Sequence, residues 1–310
     1  MMGLIAGSFS YSKQINKPCA LTIGNFDGVH LGHQQLLHKT IDEAKQKGIL
    51  SCVYTFEPSP RTLLAPQLLT QRIFTWEEKV AKLLDFGVDC VVVEEFSLTF
   101  AGYSPKWFAN EILQKRLQVQ SVIVGHDFRY GKARGGTFES LKQTLKQVDV
   151  IQIAAVEQNQ EVISSSRIRK LVQNGQVREA GQLLGEPYHI RGIVVLGNQK
   201  GRDLGFPTAN IFSSDSLIPE MGVYAVKVQI NRGQWYHGMA NLGNQPTFGG
   251  RQFQIEVHIF DFHQNIYGDE MGITFIEKIR AEKRFSSQEE LIQQLHMDQK
   301  SAMLCLETKY

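Results

Sequence analysis

Between Cys19 and about Gly185, short β-branched runs alternate with longer stretches of helical period. The runs predict strands from Cys19 to Ile23, Leu50 to Phe56, Cys90 to Glu94, Ser121 to Val124 and Val150 to Ala155. The stretches between them predict helices from His33 to Lys47, Trp76 to Phe86, Pro105 to Arg116 and Phe138 to Gln147. Such alternation implies an α/β domain with a parallel sheet, because parallel neighbours need a crossover long enough to hold a helix. After Glu186-Pro187 the period changes to two. Tyr188 to Leu196, Val223 to Ile230, Trp235 to Asn241, Gln252 to Phe260 and Ile273 to Ile279 read as strands between Gly-rich turns, which predicts an antiparallel barrel or sandwich. The last segment, Ser286 to Leu306, has Ser286 or Ser287 as cap and Glu289 and Glu290 in its first turn. It predicts one amphipathic terminal helix, or two short ones, packed on that sheet. The change of period divides the chain into 1–186 and 187–310.

A length of 310 residues suits two domains of roughly 150 each. Hydrophobic residues at 42% and charged residues at 21% exclude a disordered or fibrous chain. Thirty-three basic against 31 acidic residues leave a net charge of +2, and the basic ones are dispersed, so no stripe for nucleic acid is present. An anion bound here is gripped by a few placed donors, which favours small phosphorylated ligands. The start of the chain lacks a basic n-region, and no run approaches about 18 apolar residues, so the expectation is a cytoplasmic protein without membrane contact. Cys19, Cys52, Cys90 and Cys305 form no C-x-x-C pair. That spacing predicts reduced thiols, not a zinc site or a disulfide framework.

Gly24-Asn25-Phe26-Asp27-Gly28-Val29-His30-Leu31-Gly32-His33 follows the first predicted strand and opens the first predicted helix. At the carboxyl end of a parallel strand, a helix N-terminus offers free N–H groups and a positive dipole end, for which phosphate is the natural guest. His30 and His33 can face one way at a helix start, and Gly32 permits close approach to the backbone. The G-x-G-x-x-G glycines are missing, and Gly131-Lys132 is followed by Ala133, so neither a dinucleotide fingerprint nor a Walker loop is present. A metal pair or two structural histidines remain the other readings of H-x-G-H. Later, Ser164-Ser165-Ser166-Arg167-Ile168-Arg169 sets three hydroxyls and two guanidinium groups at a predicted helix start. Taken alone the string is a capping motif whose basic first turn opposes the helix dipole unless an anion neutralises it; taken with the histidines it is a second phosphate clamp.

These strings resemble the nucleotidyltransferase superfamily. Together with Thr55-Phe56-Glu57-Pro58-Ser59-Pro60 and Gly125-His126-Asp127-Phe128-Arg129-Tyr130-Gly131, they are similar to the FMN adenylyltransferase module of prokaryotic bifunctional riboflavin kinase/FAD synthetases. The resemblance implies a Rossmann-like domain over 1–186 that joins FMN to ATP with loss of pyrophosphate. It implies that Gly24, Phe26, Asp27, Gly28 and Gly32 form the ATP turn, that His30 and His33 donate to the phosphates, and that Asp127, Phe128 and Pro58 lie by the flavin. Ser164, Ser165, Ser166 and Arg167, with Arg169 as a catalytic group, would hold the β- and γ-phosphates, bridged by Mg²⁺. Ser59 stands where the family usually has His, and Ser166 where it usually has Thr; the second change keeps the hydroxyl.

In the second half, Gly197 to Asn210 reads either as a Gly-rich hairpin or as a phosphate loop, with Gly201 and Gly205 allowing close approach and Thr208 and Asn210 offering oxygens suited to Mg²⁺. On a strand of period two Glu256 and His258 share a face. Glu256 is therefore either a general base on the inward side of a barrel mouth or half of an ion pair on the outer face. G-R-x-L-G-F-P-T-A-N, N-x-G-x-x-P-T-F, E-V-H-I-x-D-F and F-I-E-K-I-R-x-E-K-x-F are similar, in order, to the riboflavin kinase module. That resemblance covers nearly all of 187–310 and implies an antiparallel barrel with a terminal helix. Glu256 would take the proton of the ribityl 5′-hydroxyl, and Thr208 and Asn210 would hold Mg²⁺ on ATP. Gln245 stands where the family often has Arg. The combined expectation is an enzyme that makes FMN from riboflavin and ATP, then FAD from FMN and ATP. Its rivals are a kinase with an inactive N-terminal module and a flavin-binding regulator without turnover.

Overall fold

The computed structural model describes residues 3–65, 67, 71–197, 200–213, 216–247 and 250–307; the side chains of residues 200, 203, 244–247 and 250–254 lie outside that description. The chain divides into two units, Met1–Ser164 and Ser165–Tyr310.

The first unit is a six-stranded sheet of β1 (Leu4–Ala6), β2 (Cys19–Ile23), β3 (Leu50–Glu57), β4 (Cys90–Glu95), β5 (Val119–Gly125) and β6 (Asp149–Ile153). Their order is β1-β4-β3-β2-β5-β6, and every neighbouring pair is parallel. The expected parallel α/β architecture is thus the one observed. All five residues of β2 are buried, as a central strand covered on both faces requires. On one face α2 (Leu31–Lys47) buries Leu36, Leu37, Thr40 and Ala44 and ends at Gly48, whose φ of 64° suits the residue without a Cβ. Beside it α3 (Trp76–Asp85) starts from a reciprocal cap between Thr75 and Glu78. The helix expected up to Arg116 is a turn, Pro105–Trp107, running into a π-helical stretch, Phe108–Arg116. Patterning did not anticipate β1 or the helix that follows it, α1 (Gly7–Gln14), because a three-residue strand carries no measurable period.

The reduced-thiol expectation is corrected at two positions. Cys52 on β3 and Cys90 on β4 are register partners with Cα atoms 4.9 Å apart, and they form a disulfide. Sequence spacing could not reveal a pairing set by strand register. Cys19 and Cys305 are free.

In the second unit a closed antiparallel barrel contains β7 (His189–Val195), β8 (Ala209–Phe212), β9 (Gly222–Ile230), β10 (Trp235–Thr247), β11 (Gly250–Ile259) and β12 (Glu270–Arg280). The order around it is β8-β11-β10-β9-β12-β7, closed by the β7–β8 pair. Five of these strands were legible. The sixth, β8, is four residues long and begins inside the Thr208-Ala209-Asn210 motif. Two helices precede the barrel, α4 (Ser165–Gln173) and α5 (Val177–Leu184). The division falls before them, ahead of the expected 186/187 boundary, because α5 packs on β12 and Arg178 pairs with Glu277 at 2.5 Å. The terminal helix α6 (Gln288–Glu307) is single and packs against β9, β10 and β12.

Candidate active sites

In the first unit β2 ends at Ile23, and the chain turns through Phe26, Gly28 and Val29 at φ of 51°, 84° and 41° before α2 begins. Phe26 is fully buried, and its ring lies 5.0 Å from the His33 ring. Asp27 ties the turn to the segment ahead of α3, its Oδ1 accepting the Ile73 N–H at 3.1 Å. His30 caps α2: its Nδ1 accepts the His33 N–H at 3.3 Å. The proton of a neutral His30 ring therefore sits on Nε2. Its ring stacks on that of His33 with centroids 3.6 Å apart. Burial pushes the His30 pKa down to about 4. Burial, with the His30 and Lys79 charges adding to it, also holds His33 well below the usual imidazole range. Both rings are thus neutral at pH 7, and His33 Nδ1 is buried without a partner among the described residues.

Gly32 has a steric reason. A Cβ there would stand 3.2 Å from the His30 ring and 3.7 Å from the Ile163 carbonyl, so the residue before Ser164 approaches the histidine turn. Ser164 itself closes the first unit, whereas Ser165, Ser166, Arg167 and Arg169 open α4 in the second. Gly24 is held free of a side chain by the Phe26 ring, 3.2 Å from where its Cβ would be.

Because the sheet is parallel, the loops after β2, β3 and β5 share one edge. This brings Pro58, Asp127 and Phe128 to the edge that carries His30. Asp127 is exposed, and Phe128 stacks on Tyr130 with centroids 5.4 Å apart. Ser59 serves as a helix cap, its Oγ accepting the Thr62 N–H at 3.3 Å. Sequence reasoning missed a charged group here: Lys79 of α3, 8% exposed, with its Nζ 3.3 Å from Thr55 Oγ1. A lysine on an amphipathic helix reads as a solvated position, so nothing in the pattern marked it.

In the second unit a cavity of about 280 Å³ is lined by Gly201, Thr208, Asn241, Glu256 and His258, and across from them by Arg280, Leu295 and Asp298. Glu256 is the register partner of Asn210 on β8 and of Asn241 on β10, which sets the three residues in one row across three strands. Of the two faces left open for Glu256, the outer one is observed. Ile255, Val257 and Ile259 are buried and fill the lumen, so the Glu256 and His258 face is the outer wall, roofed by α6. Alternation gives two faces, and the apolar one took the interior. His258 Nδ1 lies 2.8 Å from the Pro207 carbonyl and must donate to it, which ties the Thr208 segment to β11. Burial lowers the His258 pKa against that bond and the Asp261 charge. Asp298 is fully buried and holds Arg280 by both carboxylate oxygens, with Nε–Oδ1 at 2.9 Å and Nη2–Oδ2 at 2.7 Å. Gly205 and Asn210 are not among the cavity's lining residues, although Asn210 is buried beside Gly197. The side chain of Gln245 lies outside the described residues. No helix among the described residues is long and apolar enough to cross a membrane.

Comparison with known proteins follows the same division. The family model for FAD synthetase matches residues 12–167, and that for riboflavin kinase matches residues 184–306. A Haemophilus influenzae protein named bifunctional riboflavin kinase/FMN adenylyltransferase is 39% identical, covering 97% of this chain and 98% of its own. A Bacillus subtilis protein of the same name is 37% identical over 94% and 93%. A solved structure described as a macrolide-efflux protein from Streptococcus pneumoniae is 34% identical, with a TM-score of 0.89 over 97% of this chain and 98% of that one. Two family models in tandem, each over a half with its own constellation of polar groups, and relatives matched almost end to end lead to one assignment: the chain belongs to the bifunctional riboflavin kinase/FMN adenylyltransferase family.

Proposed function

We propose that the chain makes FMN from riboflavin and ATP in its second half and FAD from FMN and ATP in its first. The observation that carries this reading is the presence of two separate polar constellations, His30 with His33 and Glu256 with its asparagine row, each inside the half matched by the corresponding family model. The functional division is proposed at 1–186 and 187–310.

In the kinase half Glu256 accepts the proton of the ribityl 5′-hydroxyl as that oxygen attacks the γ-phosphorus and ADP leaves. The Glu256 face looks into the cavity of about 280 Å³, and His258 fixes the neighbouring Thr208 segment. Thr208 and Asn210 offer oxygen donors, and among the described residues no group of three or more His, Cys, Asp or Glu is placed to hold a metal. Those donors suit Mg²⁺ carried on the phosphates of ATP, where it neutralises their charge.

In the adenylyltransferase half an oxygen of the FMN phosphate attacks the α-phosphorus of ATP and pyrophosphate leaves. The attacking group is already an anion, so alignment and charge stabilisation suffice and no enzyme nucleophile is required. His30, neutral and protonated on Nε2, donates one N–H to a phosphate oxygen, and His33 supplies a second donor. The backbone of residues 25–28 and the start of α2 supply further N–H groups, the Gly24 N–H being taken by the Tyr54 carbonyl. Ser164, Ser165, Ser166, Arg167 and Arg169 are proposed as the grip on the β- and γ-phosphates, and Pro58, Asp127 and Phe128 as the flavin side.

Incubating the protein with riboflavin, Mg²⁺ and ATP and separating the flavins tests the reading. FMN and FAD both accumulate if it holds. FMN alone leaves the N-terminal half a binding module, and unchanged riboflavin leaves a regulator without turnover.

A further inference from the structure

Lys79 is a lysine that packing alone does not require. Its ammonium is buried under β3 and makes one hydrogen bond among the described residues, to Thr55 Oγ1 at 3.3 Å. The Thr55 hydroxyl, itself fully buried, donates onward to the Asn25 carbonyl at 3.3 Å. Asn25 opens the turn in which Phe26 and Val29 hold positive φ, a region that side chains with a Cβ enter only when the surroundings impose it. Lys79 therefore reaches the strained turn through one hydroxyl.

The charges around the ammonium oppose one another, and burial, the largest influence, lowers its pKa. Burial disfavours the cation, the Glu57 and Asp27 carboxylates favour it, and Arg72 opposes it. Arg72 is itself held by Glu57, with Nη2–Oε1 at 2.5 Å and Nη1–Oε2 at 3.1 Å. A buried ammonium with such neighbours is costly to place and marks a group with work to do in its charged form. Its field also falls on His33, whose protonation it disfavours.

We infer that Lys79 is a positioning residue of the adenylyl-transfer site, which fixes the left-handed 25–29 turn through Thr55 and so sets where His30 and His33 present their N–H groups to phosphate. This rests on the adenylyltransferase reading of the first half.

The test uses the full chain and three variants, Lys79→Met, Thr55→Val and the two combined. Each is assayed for FAD formation from FMN and ATP and for FMN formation from riboflavin and ATP. Lys79→Met is expected to lower kcat for FAD formation by about tenfold or more, with KM for FMN and ATP held within about threefold and FMN formation unchanged. Thr55→Val, which keeps the volume and removes the hydroxyl, is expected to lose about threefold or more in the same kcat. Because both break one relay, the double variant should fall no more than about twofold below Lys79→Met. Wild-type kcat in Lys79→Met, or losses that multiply in the double variant, would overturn the inference. Should Lys79→Met not fold, Thr55→Val decides: a kcat loss at constant KM supports the relay, and an unchanged kcat overturns it. A wild-type chain that forms no FAD from FMN and ATP overturns the adenylyltransferase reading and this inference with it. Wild-type FAD formation with unimpaired variants overturns the inference alone.

Discussion

The His30 ring accepts the backbone N–H of His33 at 3.3 Å while lying against the His33 ring at 3.6 Å, so the cap of α2 and the proposed phosphate donor are one side chain. His30→Ala is expected to lower FAD formation by about 100-fold or more, since a donor to developing charge is lost along with the cap. FMN formation from riboflavin should stay at the wild-type rate. Initial rates of the two reactions, measured separately, check this.

The same ring links stability to pH. Its pKa is about 4 in the folded chain against an ordinary 6.5, so between those values the unfolded chain binds the extra proton. The contribution is full above pH 6.5 and is lost as pH falls toward 4, amounting to about 3 kcal/mol across the window. Denaturant midpoints of the first unit's transition should fall over that range, and His30→Gln should flatten the slope.

Glu256→Gln is expected to lower FMN formation by roughly 1000-fold, the scale of a positioned general base. FAD formation from supplied FMN should persist. A variant that loses both reactions would contradict independent sites.

The His258 bond to the Pro207 carbonyl fixes the Thr208 segment to β11. His258→Phe keeps a ring against Phe206 and removes the donor. Its kinase KM for ATP is expected to rise by about tenfold, with kcat changed less, because a looser segment weakens ground-state binding as much as the transition state. Steady-state kinetics with ATP varied decide the split.

Asp298→Ala strands the Arg280 guanidinium, since the carboxylate that receives its Nε and Nη2 is gone. Removing one partner of a buried ion pair costs about 3 kcal/mol or more. A thermal scan should show the second unit's transition shifted down, while Asp298→Asn, which keeps one acceptor, should lose less.

Much of this architecture was written in the period of the chain. Short, mostly apolar runs such as Cys19–Ile23, set between helical stretches, suit covered strands, and Gln252 to Phe260 alternates as a sheet with one apolar face must. Motif order likewise marked His30, His33 and Glu256. Tertiary register was not legible. It placed Cys52 against Cys90, set Asn210 and Asn241 on either side of Glu256, and turned the Glu256 face outward. Nor does a pattern of apolar positions announce a lysine that points into the sheet, because Lys79 occupies a helix position that a leucine would fill equally well.

With Ile255, Val257 and Ile259 buried on the other face of their strand, the cavity beside Glu256 is closed in part by the chain's own last helix, through Leu291, Leu295 and Asp298. A chain ending before Gln288 would still close its sheet, yet the proposed general base would lose one wall of its cavity and gain access to water, which would compete with riboflavin for the γ-phosphate.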